Sequence, residues 1–266
     1  MLRAFTIALL LLLPLQSVHA DPEQDEARAG DEKGATDAEI KDALGSDLVA
    51  EITIPQRLAF GESDFAGWAA KAKEAHLNLK PSPGEGSKLY DIILQPGHFP
   101  RVKGRTGGQG RYVNEQQVAA WVAGLLAEEL KKREVNVLVI PADGFTRPLK
   151  SKIFLSLHTD STRFPCSVGP SVGYDSSGDA KGMHGIALAL AMTLGIDPVK
   201  FMRDSYTAGL KNYYAFSSMD AQLFEGVLEM SELTCPEDEK NLLSRAETLS
   251  TNLAWAVVFA LRPPQQ

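Results

Sequence analysis

The sequence is poor in long apolar segments, in cysteine and in surplus basic charge. Only 2 of its 266 residues are cysteine. One apolar run stands out, at residues 4–15, and no later segment approaches the roughly 20 apolar residues that a membrane-spanning helix needs. The formal net charge is −7, and the lack of a basic face argues against nucleic acid as a partner. These absences favour a soluble protein without a membrane anchor.

The first twenty residues have the pattern of a secretory signal peptide. Arg3 precedes the apolar run, and Val18-His19-Ala20 supplies the small-x-Ala ending that fits cleavage after Ala20. No cysteine follows the run closely, so nothing indicates a bacterial-type lipid anchor. We therefore expect an exported protein, periplasmic or secreted, whose mature chain begins at Asp21.

The remainder divides into three parts by composition. Residues 21–47 contain ten acidic and three basic residues and almost no large apolar side chain, which predicts a disordered acidic linker. Outside that linker the mature chain is nearly neutral. Residues 48–86 form an accessory segment of unassigned role, with a strand-like piece at 52–54 and apolar residues at helical spacing over 64–79. Residues 87–262 have the length of one ordinary domain with a single core.

Strand patterns alternate with helix patterns from residue 89 onward, which indicates an α/β fold. The predicted strands are residues 89–95, 135–140, 153–158, 171–174 and 226–230. The predicted helices are residues 114–133 and 183–194, one that opens at Asp197-Pro198, and residues 236–261. We expect a single three-layer domain with a mixed or mostly parallel sheet of about five to six strands and helices on both faces.

Four chemically capable side chains converge at one predicted sheet edge. His98 follows the first strand, His158 ends the third, Glu229 ends the last, and Glu115 lies in the first turn of the helix after His98. In open α/β sheets, ligands collect outside the carboxyl ends of the strands. Catalytic zinc favours about three nitrogen and oxygen ligands and one open position. The pattern predicts one zinc ion held by His98, Glu115 and His158, with Glu229 moving protons.

Each of these residues also has a purely structural explanation when it is taken alone. A single histidine at a strand end is commonly a hydrogen-bonded structural residue. Glu115 suits the positive end of its helix in any case. Glu229 is harder to explain in this way, because a carboxylate in an apolar strand is costly to bury without a partner or a function. The set of four, in this order, favours a metal hydrolase.

The segments around these residues also match a known pattern. They are Ile92-Ile93-Leu94-Gln95-Pro96-Gly97-His98, Asn114-Glu115, Phe154-Leu155-Ser156-Leu157-His158-Thr159-Asp160, Val227-Leu228-Glu229-Met230, Pro236-Glu237-Asp238-Glu239 and Leu242-Leu243. In this order they resemble the zinc-dependent N-acetylmuramoyl-L-alanine amidase family (amidase type 3). The resemblance implies zinc binding by His98, Glu115 and His158, and a catalytic Glu229. It also implies that the domain at 87–262 hydrolyses the amide between N-acetylmuramic acid and L-alanine in peptidoglycan.

The chain departs from the family pattern beside the four residues and not at them. The family usually has Asp where Gln95 stands, and glycines where this chain has Phe99-Pro100-Arg101. After Glu229 the family favours Gly-Phe-Leu-Ser-Asn, whereas residues 231–235 read Ser-Glu-Leu-Thr-Cys. Some members carry an inhibitory helix between the second histidine and the catalytic glutamate, and residues 197–224 are long enough to hold a helix near the site. We therefore expect a groove whose rim differs from that of the family.

The two cysteines lie in loops at the same predicted edge. Cys166 follows His158, and Cys235 follows Glu229. Because export permits oxidation, we predict a disulfide between Cys166 and Cys235, with two separate buried thiols as the alternative. Zinc ligation by these cysteines is less favoured, since the other set already supplies three ligands.

Two other functions are compatible with the sequence. One is a zinc peptidase or amidase that acts on soluble muropeptides or other exported peptides. The other is a catalytically silent module that binds cell wall or a protein partner through its groove, with residues 48–86 as a docking arm. The sequence does not indicate whether a protein activator is needed, and it does not specify an oligomeric state.

Overall fold

The structure is a computed structural model that describes residues 48, 50–55 and 60–262. The predicted signal peptide and acidic linker, residues 1–47, lie outside the described residues. Across the part that is described, no helix combines the length and the apolar character needed to cross a membrane.

One five-stranded sheet forms the centre of the described chain. Its strands are β1 (Leu89–Pro96), β2 (Val137–Val139), β3 (Leu149–Asp160), β4 (Ser171–Gly173) and β5 (Met219–Glu232). They lie in the order β2-β1-β3-β5-β4, and every neighbouring pair is parallel except β4 with β5. The prediction of a mostly parallel sheet is confirmed. Because β1, β3 and β5 are parallel neighbours, their carboxyl ends meet at one edge.

Helices cover both faces of the sheet, but unequally. The helices are α1 (Glu62–Asn78), α2 (Glu115–Lys132), α3 (Ala180–Leu194), α4 (Ala208–Lys211) and α5 (Pro236–Leu261). The three long helices α2, α3 and α5 share the larger apolar core with one face of the sheet. The accessory helix α1 packs on the outside of α2 and α5. On the other face, residues 206–218 cross the strands with only the short α4 and one turn of 3-10 helix.

Local sequence signals explain where the long helices begin and end. The Asn114 side chain accepts from the backbone N–H of Gln117 at 3.0 Å, and the Gln117 side chain accepts from the N–H of Asn114 at 2.9 Å. This reciprocal cap starts α2 and thereby places Glu115 at its first position. Gly195 ends α3 in the left-handed conformation, with φ 62°. Pro236 opens α5, where proline costs no hydrogen bond.

Three local predictions were wrong or incomplete. The helix predicted to open at Asp197-Pro198 is only a single turn of 3-10 helix. The chain then runs alongside β4, because the backbone N–H of Met202 donates to Pro170 O at 2.9 Å. Residues 52–54 form no strand; the backbone of Thr53 instead exchanges two hydrogen bonds with the Asn252 side chain. The last strand begins at Met219, since its polar first half pairs with β3.

Candidate metal centre

Three predicted ligands come together at the carboxyl edge of the sheet. His98 lies in the turn after β1, Glu115 opens α2, and His158 lies near the end of β3. One ligand atom from each residue lies within 4.8 Å of the others. Glu115 Oε1 is 2.9 Å from His158 Nδ1 and 3.4 Å from His98 Nε2. The sequence prediction therefore identified residues that the fold brings into one cluster.

The geometry and chemistry of this cluster fit zinc. Bonds of about 2.0–2.1 Å to a tetrahedral ion place neighbouring ligand atoms roughly 3.3 Å apart, close to the two observed separations. His98 Nδ1 lies 2.9 Å from Arg105 O and 3.2 Å from Arg101 Nη1, and its Nε2 faces Glu115 Oε1. His98 Nε2 and the carboxylate oxygen then face each other, and either a shared proton or a bound cation removes the repulsion between their lone pairs.

Glycines allow the loops to approach the ligands closely. A Cβ at Gly97 would lie 2.6 Å from His158 Nδ1, and one at Gly107 would lie 2.5 Å from Glu115 Oε2. The N–H of Gly108 donates to Glu115 Oε2 at 2.9 Å, which leaves Oε1 directed at the histidines. His98 itself adopts φ 57°, a conformation that is rare outside glycine and is found preferentially at functional sites.

A buried carboxylate from α5 holds the loop that leads into Glu115. Glu239 is fully buried and accepts the backbone N–H groups of Arg111, Tyr112 and Val113 at 2.8 to 3.0 Å. A Cβ at Gly110 would lie 2.4 Å from its Oε1, so only glycine fits there without a shift. Glu239 therefore links the start of α5 to the approach of α2.

The charges of the cluster are strongly coupled. Burial alone would raise the pKa of Glu115, but hydrogen bonds and charge from His158 and His98 outweigh it and hold that pKa well below its usual range. Burial lowers the pKa of His158, with partial compensation from Glu115. At His98 the effect of burial is smaller than that of Glu115, so its pKa is raised. The site thus favours an ionised carboxylate and a neutral His158, and a metal ion would displace the proton held by His98.

Glu229 lies beside this cluster on the neighbouring strand. It is the register partner of His158 in the parallel pair of β3 and β5, so both side chains point to the same side of the sheet. Its side chain is half-buried. Neighbouring strands are about 4.7–4.9 Å apart, so Glu229 and the candidate ligand His158 are neighbours across this strand pair.

Sequence reasoning missed Tyr213, which contacts a candidate ligand. The hydroxyl of Tyr213 lies 3.0 Å from His158 Nε2, on the side of the ring that faces away from Glu115. Tyr213 belongs to the irregular segment that crosses the second face of the sheet. No spacing pattern links it to His158, because the contact depends on the path of that segment.

The remaining polar clusters lie apart from the three ligands. Cys166 and Cys235 are joined by a disulfide, so their sulfurs, although close to Glu237, are not available as metal ligands. This bond ties the loop after β3 to the start of α5. His184 is half-buried and forms a short ion pair with Asp204.

Comparison with solved structures identifies the fold. An N-acetylmuramoyl-L-alanine amidase from Clostridium difficile 630 is 14% identical, with TM-score 0.51, over 67% of this chain and 100% of that chain. The amidase AmiC2 of Nostoc punctiforme is 17% identical, with TM-score 0.47, over 66% and 97% of the two chains. The catalytic domain of the amidase CwlV from Bacillus (Paenibacillus) polymyxa is 17% identical, with TM-score 0.49, over 64% and 96%.

At these identities the first comparison shows a shared fold, and it confirms the predicted α/β class. This chain shares its fold with the Clostridium difficile amidase. No protein-family model and no curated protein matches the sequence.

Proposed function

We propose that this chain is an exported, zinc-dependent N-acetylmuramoyl-L-alanine amidase. One observation carries the proposal. The three candidate ligands span 60 positions of the sequence, yet their ligand atoms lie within 4.8 Å of one another: His98, Glu115 and His158. They do so on a fold that is shared with such an amidase. The signal-peptide pattern at residues 1–20 supports export to the compartment in which peptidoglycan lies.

The proposed roles follow from the donor atoms. His98 Nε2, Glu115 Oε1 and His158 Nδ1 would hold the ion. When bound, zinc supplies Lewis acidity and lowers the pKa of a water to roughly 7. Three ligands leave room for that water and for the substrate carbonyl.

Glu229 is proposed as the general base and acid. Its carboxylate accepts a proton from the attacking water and then gives it to the departing L-alanine amine. This assignment rests on its place beside His158 in the sheet register and on its half-buried side chain.

Product analysis on purified peptidoglycan tests this function. Incubation of zinc-loaded protein with intact sacculi should release stem peptides that begin with a free L-alanine amine, and should leave glycan strands with intact lactyl groups. Mass spectrometry identifies both products. Cleavage of soluble muropeptides but not of sacculi would restrict the substrate to fragments, and bound zinc without any cleavage would favour a silent binding module.

A further inference from the structure

A chain of hydrogen bonds extends from the metal cluster into the second face of the sheet. The Tyr213 hydroxyl lies 3.0 Å from His158 Nε2, 2.8 Å from Gln95 Oε1 and 3.1 Å from Ser156 Oγ. Gln95 and Ser156 are fully buried, on the adjacent strands β1 and β3. Tyr213 thus joins an irregular segment to the two strands that carry the histidines.

With a metal ion between His158 Nδ1 and Glu115 Oε1, the donors and acceptors in this chain have one consistent direction. Gln95 Nε2 donates to the carbonyl of Pro141 at 3.2 Å, so its Oε1 faces Tyr213 and can only accept. The Tyr213 hydroxyl therefore donates its proton to Gln95. Its oxygen is left to accept from His158, so the proton of that ring lies on Nε2. His158 Nδ1, which faces Glu115, then carries the lone pair that binds a metal.

We propose that Tyr213 is a positioning residue that fixes the tautomer and ring orientation of His158 for zinc, with Gln95 orienting Tyr213 in turn. This inference rests on the proposed function, since it assigns a role toward the zinc ion. Metal-ligating histidines usually donate their second N–H to a fixed acceptor, and the loss of such a partner typically weakens metal affinity about 10 to 100-fold. Gln95, which stands where the resembled family usually has Asp, has Tyr213 as its specific partner in this chain.

Tyr213 has a matched control next to it. The Tyr214 hydroxyl donates to the backbone carbonyl of Ala142, and the two tyrosine rings lie 4.6 Å apart. Removal of either hydroxyl deletes one oxygen and keeps a phenyl ring in place. Only Tyr213 touches a proposed ligand, so Tyr214→Phe controls for the removal of a neighbouring hydroxyl.

The zinc dissociation constant of the full chain, measured by competition with a chromophoric chelator, tests the inference without any turnover. Tyr213→Phe should bind zinc about 10 to 100-fold more weakly than the parent, whereas Tyr214→Phe should keep the parent affinity. Thermal unfolding of both metal-free variants reports any general loss of packing. Parent-like zinc affinity in Tyr213→Phe would overturn the inference.

A second arm asks whether Tyr213 acts through His158. In a His158→Ala background, Tyr213→Phe should cause no further loss of zinc affinity, because the ring that it orients is absent. An equal loss in both backgrounds would also overturn the inference, since it would indicate a general structural effect. If the affinities behave as expected but sacculi are not cleaved, the amidase function fails and the positioning role stands. If the parent binds no zinc, both fail.

Discussion

Glu115 and His158 are 43 positions apart in the sequence, yet Oε1 of the first lies 2.9 Å from Nδ1 of the second. The contact forms because α2 begins at the same edge of the sheet at which β3 ends. Glu115 is also held by the N–H of Gly108 at 2.9 Å and that of Thr159 at 3.3 Å. A carboxylate fixed in this way is preorganised for a metal ion.

Substitution of Gly107 should damage the metal site, whereas the same change at Gly104 should not. Both glycines have positive φ, 84° and 77°, so alanine costs roughly 1 kcal/mol or more of backbone strain at either position. A Cβ at Gly107 would also lie 2.5 Å from Glu115 Oε2, but one at Gly104 meets nothing within 4 Å. We expect Gly107→Ala to bind zinc more weakly than the parent and Gly104→Ala to keep the parent affinity, as measured by chelator competition. Equal affinities in the two variants would show that Gly107 does not constrain Glu115.

The carboxylate of Glu239 should support both stability and metal binding. Glu239→Gln removes one acceptor and places an amide N–H group against backbone donors in the loop 111–113. Hydrogen bonds to charged groups contribute about 1.5–3 kcal/mol each, so we expect a clear fall in the free energy of unfolding, measured with urea. Zinc affinity should fall as well, because this loop leads into Glu115. Glu237→Gln removes an exposed charge from the same helical turn and serves as the control.

The sequence predicted that His98, Glu115 and His158 lie close together, because these residues occupy positions set by local signals. The Asn114 cap places Glu115 at the start of α2, and parallel strands place His98 and His158 at one edge. Tyr213 could not be predicted, since residues 206–218 are guided by contacts across the sheet and not by a repeating apolar pattern. The prediction of a helix at Asp197-Pro198 was wrong for the same reason. Backbone hydrogen bonds between this segment and the residues around β4 outweigh a favourable helix start.

The disulfide should stabilise the chain by restricting its unfolded state. Cys166 and Cys235 are separated by 69 positions, so their bond closes a long loop. The double variant Cys166→Ser/Cys235→Ser should lose about 2–4 kcal/mol of unfolding free energy relative to the oxidised parent. Reductant should lower the unfolding free energy of the parent toward that of the variant, and it should leave the unfolding free energy of the variant unchanged. If both thiols of the unreduced parent can be alkylated, as judged by mass, the bond does not form in solution.

Glu225 should make stability depend on pH. Burial, together with Asp179 and Asp175, raises the pKa of Glu225 from 4.5 to about 7. A carboxyl with a higher pKa in the folded state contributes stability at low pH, and this contribution is lost as the pH rises from about 4.5 through about 7.

Glu225→Gln should therefore match the Tm of the parent near pH 4 and exceed it at pH 8. Thermal unfolding across this range measures the difference. Asp220→Asn, at an exposed position of the same strand, provides the control. A Tm difference that stays constant from pH 4 to pH 8 would contradict the raised pKa.

The zinc content and peptidoglycan hydrolysis of Glu229→Gln, measured on one preparation beside the parent, test the central claim most directly. The parent should hold one zinc ion per chain and release peptides with an N-terminal L-alanine from purified sacculi. Glu229→Gln should keep its zinc and lose about 10²-fold or more of the rate, because the general base and acid is gone while the three ligands are intact. A Glu229→Gln variant that digests sacculi as fast as the parent, or a parent that holds no zinc, would contradict the proposed mechanism.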